Sequence, residues 1–107
     1  MSAPDTLTRL AATIAARRTA DPATSWVAKL HARGLPVIAR KLGEEAVETI
    51  TAALAGSREE LVGEAADTIF HLLVLLDAKG VTLDEVLAEL DRREGTSGIA
   101  EKASRSE

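Results

Sequence analysis

Five carboxylates at fixed spacing stand out in this chain of 107 residues. One largely apolar segment contains Glu44, Glu45 and Glu48, and the next contains Glu64 and Asp67. Residues three or four apart share one face of a helix, so each segment presents an acidic pair. At about 6 Å and an effective dielectric constant near 20, two such charges repel by roughly 2 to 3 kcal/mol. This repulsion predicts a bound cation.

The residue types around these carboxylates favour Mg²⁺. An all-oxygen ligand set suits a hard divalent ion that keeps some water ligands and commonly holds substrate phosphates. Neither His31 nor His71 follows a glutamate by three positions, so the Glu-x-x-His element of di-iron carboxylate bundles is missing. The pattern therefore indicates magnesium chemistry rather than oxygen activation by iron.

Composition and charge exclude several other classes of function. The net charge is −4 and the basic residues are scattered, which argues against a nucleic-acid partner. The chain has no cysteine, and therefore no disulfide, zinc knuckle or thiol nucleophile. The first ten residues lack the pattern of a signal peptide, and the apolar run 69–76 is too short to span a membrane. We expect a cytoplasmic protein without a membrane partner.

Caps and glycines divide the chain into five predicted helices. Asp21 before Pro22 reads as an N-cap, and Ser57 and Thr82 each precede a glutamate by three positions, as in a capping box. The predicted helices cover residues 6–18, 22 to about 34, 36–55, 57–80 and 82–95. We therefore expect an all-α domain over residues 1–95 and an extended C-terminal arm over residues 96–107.

The two long helices are apolar around much of their circumference, which requires burial on more than one side. So short a chain cannot easily supply that cover alone. The sequence therefore predicts a homodimer whose core is a bundle of paired helices, with the two long helices antiparallel across a tight turn. The apolar residues are Ile38, Leu42, Val47, Ile50, Leu54, Leu61, Val62, Ile69, Leu72, Leu73, Leu75 and Leu76.

Helical geometry ranks the carboxylates. At about 100° per residue, Glu45 points along the apolar stripe and Glu48 is offset by roughly 60°. Glu44 lies about 100° from Glu45, which makes it the weakest candidate for direct metal contact. His71 shares a face with Asp67, and we expect it to support the metal ligands rather than to bind the ion.

A wider string of residues resembles a known family. The pattern Glu44-Glu45-x-x-Glu48 followed by Glu64-x-x-Asp67 is similar to the signature of the MazG-like all-α nucleoside triphosphate pyrophosphohydrolases. Three further segments resemble the phosphoribosyl-ATP pyrophosphohydrolases of histidine biosynthesis within that superfamily. They are Ser25-Trp26 with Lys29-Leu30, the run from His71 to Leu76, and Ser97-Gly98-Ile99 with Glu101-Lys102.

This resemblance implies a MazG-like helical bundle, completed by homodimerisation, that hydrolyses phosphoribosyl-ATP to phosphoribosyl-AMP and pyrophosphate. We expect no fused cyclohydrolase domain, and therefore expect the protein to catalyse only this one reaction. The metal ligands for Mg²⁺ would be Glu45, Glu48, Glu64 and Asp67, with Glu44 and Glu48 in catalysis. The substrate-binding residues would be Trp26, Lys29, Lys41, Ser97, Gly98 and Lys102.

Several alternatives remain open. Trp26 is as well suited to anchoring a core or interface as to stacking on the substrate, and each lysine alone fits a solvated surface. The same acidic site would serve a pyrophosphohydrolase for dNTPs or damaged nucleotides with a different base pocket. A non-enzymatic helical dimer stabilised by a divalent ion is the third possibility.

Overall fold

Six α-helices form the part of the chain that the structure, a computed structural model, describes, namely residues 3–95 and 97–105, with side chains from residue 6 onward. No strand occurs in these residues, so the all-α prediction is confirmed. None of their helices is both long and apolar enough to cross a membrane. The helices are α1 (Ala3–Arg17), α2 (Trp26–Arg33), α3 (Leu35–Ala55), α4 (Arg58–Ala78), α5 (Leu83–Arg93) and α6 (Gly98–Ser104).

Local capping explains where the long helices meet. The Ser57 hydroxyl accepts from the Glu60 amide at 3.1 Å, and the Glu60 carboxylate accepts from the Ser57 amide at 2.9 Å. This is the complete capping box predicted from the sequence. Helix α3 ends at Ala55, and Gly56 and Ser57 alone connect it to α4. The two helices therefore fold back as an antiparallel hairpin, which carries the acidic residues.

The predicted start of the second helix is wrong. The Asp21 carboxylate instead accepts from the Ala23 amide at 2.9 Å, closing a local turn. The helix begins four residues later than expected, because the Ser25 hydroxyl accepts from the Ala28 amide at 3.1 Å and acts as the N-cap. As a result Trp26 is the first residue of α2.

Helices α1 and α2 pack on the α3–α4 hairpin through a small apolar core. Gly34 joins α2 to α3 with a φ of +98°, a backbone conformation that side-chain-bearing residues rarely adopt. This tight link keeps α2 beside the first turns of α3. The fully or nearly fully buried core residues are Ile14, Val27, Leu30, Ile38, Leu73 and Val74.

A sixth helix replaces part of the expected extended arm. Ser97 caps α6 by accepting from the Ala100 amide at 3.0 Å, and the Arg92 guanidinium donates to Glu101 at 2.7 Å. The Glu101 side chain is only 7% exposed, so α6 is folded back onto the end of α5. Thr96, Ser106 and Glu107 of the predicted arm lie outside the described residues, as do Met1 and Ser2.

Seven large apolar side chains of the hairpin remain exposed in the single chain, and the five most exposed have exposed fractions of 43% to 83%. Isolated apolar residues are common at surfaces, but clustered ones mark an interface. We call these five the exposed apolar face. Its members are Val47, Ile50, Leu54, Val62 and Ile69.

Candidate metal centre

Three carboxylates converge between α3 and α4. Glu45, Glu48 and Glu64 each offer an oxygen, and these oxygens all lie within 4.8 Å of one another. Glu45 and Glu48 are one turn apart on α3, and the antiparallel hairpin brings Glu64 of α4 against them. We call these residues the three-carboxylate cluster. Three of the four predicted metal ligands therefore meet at one point.

The fourth predicted ligand lies on the wall of the adjoining groove. Asp67 lines a groove of about 590 Å³ together with Glu48 and Glu64 of the cluster. Glu60, which the sequence analysis treated only as a capping residue, lines the same groove. The groove thus has an acidic rim that extends beyond the cluster toward the hairpin turn.

Electrostatics in the cluster favour protonation. Partial burial raises the pKa of Glu45 above its usual value, and nearby carboxylates raise it further, in the order Glu48, Asp67 and Glu64. The pKa of Glu64 is also raised, first by burial and then by the charges of neighbouring carboxylates. The negative charges of these carboxylates therefore repel one another, and a cation between them would offset that repulsion.

The residues present fit a Mg²⁺ ion. The Oε2 atom of Glu64 is buried and has no hydrogen-bond partner among the described residues. A buried carboxylate oxygen without a donor is costly unless a cation or a water occupies its lone pairs. The donor set consists of carboxylate oxygens, which Mg²⁺ prefers. Both the convergence of the three carboxylates and their oxygen donors therefore fit a Mg²⁺ ion.

A hydroxyl bridge ties α3 and α4 together, and the sequence analysis missed it. The Thr49 and Thr68 hydroxyls lie 2.8 Å apart, and each also lies 2.9 Å from a backbone carbonyl, of Glu45 and Glu64 respectively. Each hydroxyl has one proton, so only two of these three contacts are hydrogen bonds at any one time. A threonine four residues after a glutamate on both helices is the signal that would have predicted this bridge.

Glu44 lies apart from the cluster. Its carboxylate is 3.6 Å from both Arg40 and Lys41, and the side chain is half exposed. It lines a different groove, of about 780 Å³, which Glu48 of the cluster also lines. The angular argument from the sequence anticipated this separation. The catalytic role predicted for Glu44 stays a prediction.

Trp26 and Lys41 are neighbours beside the site. The Lys41 ammonium lies 5.9 Å from the centroid of the Trp26 ring, within cation–π distance. The indole N–H of Trp26 points to the Nε2 atom of His71 at 3.4 Å, and Nδ1 of His71 lies 2.8 Å from the backbone carbonyl of Asp67. His71 is 6% exposed, and its predicted support of the metal ligands stays a prediction.

The other predicted substrate-binding residues are less closely gathered. Lys29 is exposed on α2. Ser97, Gly98 and Lys102 belong to the start and middle of α6, and the side-chain contacts described for α6 run to α5. Their predicted contact with substrate stays a prediction.

Comparison with known proteins gives a consistent result. Residues 7–94 match the model of the family described as phosphoribosyl-ATP pyrophosphohydrolase. A phosphoribosyl-ATP pyrophosphatase of Erythrobacter litoralis is 70% identical over 103 residues, which are 96% of this chain and 99% of that protein. One from Novosphingobium aromaticivorans is 72% identical over 94% of each chain, and one from Rhodobacter capsulatus is 64% identical over 92% of this chain and 96% of its own.

Proposed function

We propose a reaction for this protein from one premise: the chain belongs to the phosphoribosyl-ATP pyrophosphohydrolase family, and it is an enzyme. The reaction is hydrolysis of the α–β phosphoanhydride of phosphoribosyl-ATP, which yields phosphoribosyl-AMP and pyrophosphate in the second step of histidine biosynthesis. The observation that carries the proposal is the three-carboxylate cluster, whose oxygens lie within 4.8 Å of one another.

Hydrolysis of a phosphoanhydride requires that negative charge be neutralised and that water attack in line. Glu45, Glu48 and Glu64 would hold Mg²⁺, with Asp67 completing the acidic rim of the groove. The bound ion would supply charge neutralisation at the phosphate oxygens. Burial and neighbouring carboxylates raise the pKa values of Glu45 and Glu64, and a cation held by these carboxylates would lower them.

Phosphate and base recognition falls to residues around the cluster. Lys41 lies between Glu44 and the Trp26 ring, where its ammonium is placed to meet an anionic group. Lys29 and the α6 residues Ser97, Gly98 and Lys102 are further candidates, through family resemblance. Glu44 is proposed to orient the attacking water or the Lys41 side chain, since the two side chains already form an ion pair.

We further propose that the active protein is a homodimer and that it works in the cytoplasm. The exposed apolar face supports the dimer, because five large apolar side chains would be removed from water by a second copy. The face lies on the same two helices as the three-carboxylate cluster. Assembly would therefore stabilise the hairpin that positions the metal ligands.

The first test is pyrophosphate release from phosphoribosyl-ATP, with and without Mg²⁺, beside ATP, dCTP and dUTP. We expect metal-dependent release confined to phosphoribosyl-ATP. Glu48→Gln should lower kcat at least about 100-fold, as for loss of a main electrostatic contribution to catalysis, while helicity by circular dichroism stays unchanged. Asp91→Asn removes an exposed carboxylate of α5 and is the matched control.

Each other outcome has a defined meaning. Release of pyrophosphate from dNTPs instead would support the assignment of the acidic site and contradict the assignment of phosphoribosyl-ATP as the substrate. A higher melting temperature with Mg²⁺ but no turnover of any triphosphate would favour a metal-stabilised helical dimer without enzymatic activity. A Glu48→Gln variant with nearly wild-type turnover would contradict the metal assignment.

A further inference from the structure

Both ring nitrogens of His71 are committed to partners. Nδ1 lies 2.8 Å from the Asp67 carbonyl, which can only accept, so Nδ1 must carry a proton. Nε2 lies 3.4 Å from the indole nitrogen of Trp26, which can only donate, so Nε2 must be an acceptor. These two partners leave a single arrangement, a neutral imidazole protonated on Nδ1.

Packing holds this imidazole in place. The Phe70 ring meets His71 edge to face, with centroids 5.1 Å apart and an interplanar angle of 85°. Trp26 meets it from another side at 6.5 Å and 79°. His71 is therefore a rigid link between the first residue of α2 and the metal-bearing turn of α4.

Trp26 has a surface left for a ligand. It is 41% exposed although its indole N–H is bound to His71. Two cations stand near its ring, with the Lys41 ammonium at 5.9 Å and the Arg33 guanidinium at 6.0 Å from the centroid. A partly exposed aromatic ring beside two cations is suited to an aromatic, anionic ligand.

We infer that His71 is a positioning residue that fixes the Trp26 indole as a wall of the substrate site, next to the Asp67 side of the groove. The wall would stack on the purine of phosphoribosyl-ATP while Arg33 and Lys41 face its anionic groups. This inference rests on the proposed function, because the purine and the anionic groups that it places are those of phosphoribosyl-ATP. His71 acts through Trp26 and has no contact with the reacting phosphate.

Two substitutions separate the two bonds of His71. His71→Asn keeps a donor for the Asp67 carbonyl and removes the acceptor for Trp26, whereas His71→Gln places an amide oxygen near the Nε2 position. His31→Asn is the matched control: Nε2 of His31 in α2 lies 3.3 Å from the Asp77 carboxylate of α4 without forming a hydrogen bond. Trp26 is the only tryptophan, so acrylamide quenching of its fluorescence reports its environment alone.

For His71→Asn we expect the KM for phosphoribosyl-ATP to rise about five- to twentyfold, the lower range for loss of a base–aromatic stack. The kcat should stay within about twofold, since the metal ligands are untouched, and quenching of Trp26 should increase. His71→Gln should restore most of both properties, and His31→Asn should change neither. Combining His71→Asn with Trp26→Phe should raise KM no further than the larger single effect.

Three results would overturn the inference. The first is a loss of kcat without a rise in KM, which would mean that His71 serves the chemistry itself. The second is a KM effect with unchanged quenching of Trp26, and the third is additive effects in the double variant. If the wild-type protein releases no pyrophosphate, the proposed function fails, and unchanged quenching in His71→Asn would still contradict the link between His71 and Trp26.

Discussion

At the scale of single residues, Glu64 is a carboxylate whose ionised form is poorly stabilised by its surroundings. One of its oxygens is buried without a hydrogen-bond partner, and its pKa is raised above the usual value of 4.5. A carboxyl whose pKa is raised by folding stabilises the folded state when protonated and destabilises it when ionised. In the absence of metal, this contribution is present below pH 4.5 and is lost as the pH rises through the raised pKa.

We therefore predict that Glu64→Gln raises the melting temperature of the metal-free protein at pH 7 and not at pH 4. The same change should remove most of the increase in melting temperature that Mg²⁺ gives the wild-type protein at pH 7, because one ligand is gone. Thermal unfolding with EDTA or with Mg²⁺ at both pH values measures both effects. Asp91→Asn should leave the Mg²⁺ response intact, and a wild-type-like response in Glu64→Gln would contradict the assignment of this ligand.

The hydroxyl bridge is a second feature at the residue scale. Thr68→Val keeps the shape of the side chain and removes the hydroxyl that lies 2.8 Å from Thr49. We expect a loss of about 1 kcal/mol in the free energy of unfolding, the usual contribution of one hydrogen bond. Mg²⁺ affinity should fall as well. The contact that fixes the distance between α3 and α4 lies one helical turn from Glu45 and Glu64, and this variant removes it.

Urea unfolding and Mg²⁺ titration check this prediction. Thr13→Val is the control, since Thr13 is exposed on α1 and makes no side-chain hydrogen bond among those described. Its effect should stay within about 0.5 kcal/mol, as for an ordinary surface substitution. Equal effects of the two variants would show that the bridge does not hold the helices.

At the scale of elements, a group of four charges joins α5 to α6. Glu89 accepts from Arg92 at 2.7 Å and from Arg93 at 2.8 Å, and Arg92 also donates to the buried Glu101 at 2.7 Å. These hydrogen bonds lower the pKa of Glu89 from 4.5 to about 2. Helix α6, with the candidate residues Ser97 and Lys102, therefore moves with α5.

The lowered pKa of Glu89 makes this junction sensitive to acid. Because folding lowers the pKa, the stabilising contribution is present above pH 4.5 and is lost as the pH falls toward about 2. We expect Glu89→Gln to lower the melting temperature at pH 6 and to differ much less from wild type at pH 3. Thermal unfolding at the two pH values is the measurement, with the exposed Glu94→Gln as control. A constant difference would contradict the ion-pair explanation.

At the scale of the whole molecule, the exposed apolar face is the open surface of the hairpin. Ile50 is 58% exposed and Val47 is 62% exposed on the same helix as Glu45 and Glu48. Burying such side chains is favourable by about 25 cal/mol for each Å² of apolar surface removed from water. A second copy of the chain offers the same face, which is the geometry of a twofold dimer.

We predict that Ile50→Glu converts the protein to a monomer and lowers its activity, because a charge would be buried without a partner. Light scattering after size exclusion measures the mass, and circular dichroism confirms that the helices persist. Thr13→Glu introduces the same charge on an exposed position of α1 and should remain dimeric. A wild-type protein that is monomeric at micromolar concentration would contradict the dimer proposal.

The sequence by itself determined the local features of this protein. The capping box at Ser57 and Glu60 depends on a few adjacent residues, and the structure contains it. At Thr82 the structure contains the half of the predicted box in which the Thr82 hydroxyl accepts from the Glu85 amide. Helical spacing placed Glu45 with Glu48 and set Glu44 aside, because the angle between residues on one helix is fixed. The order of residues along the chain also carried the resemblance to the family that the comparisons identify.

Only the tertiary structure decided how separate helices meet. Spacing along one helix gives no rotation or axial offset relative to its neighbour, so the convergence of Glu64 with Glu45 and Glu48 required the packed hairpin. The same holds for the link from Trp26 to His71, which are 45 residues apart. Helix α6 was missed because the ion pair that holds it comes from α5, and a short polar segment has no local reason to fold.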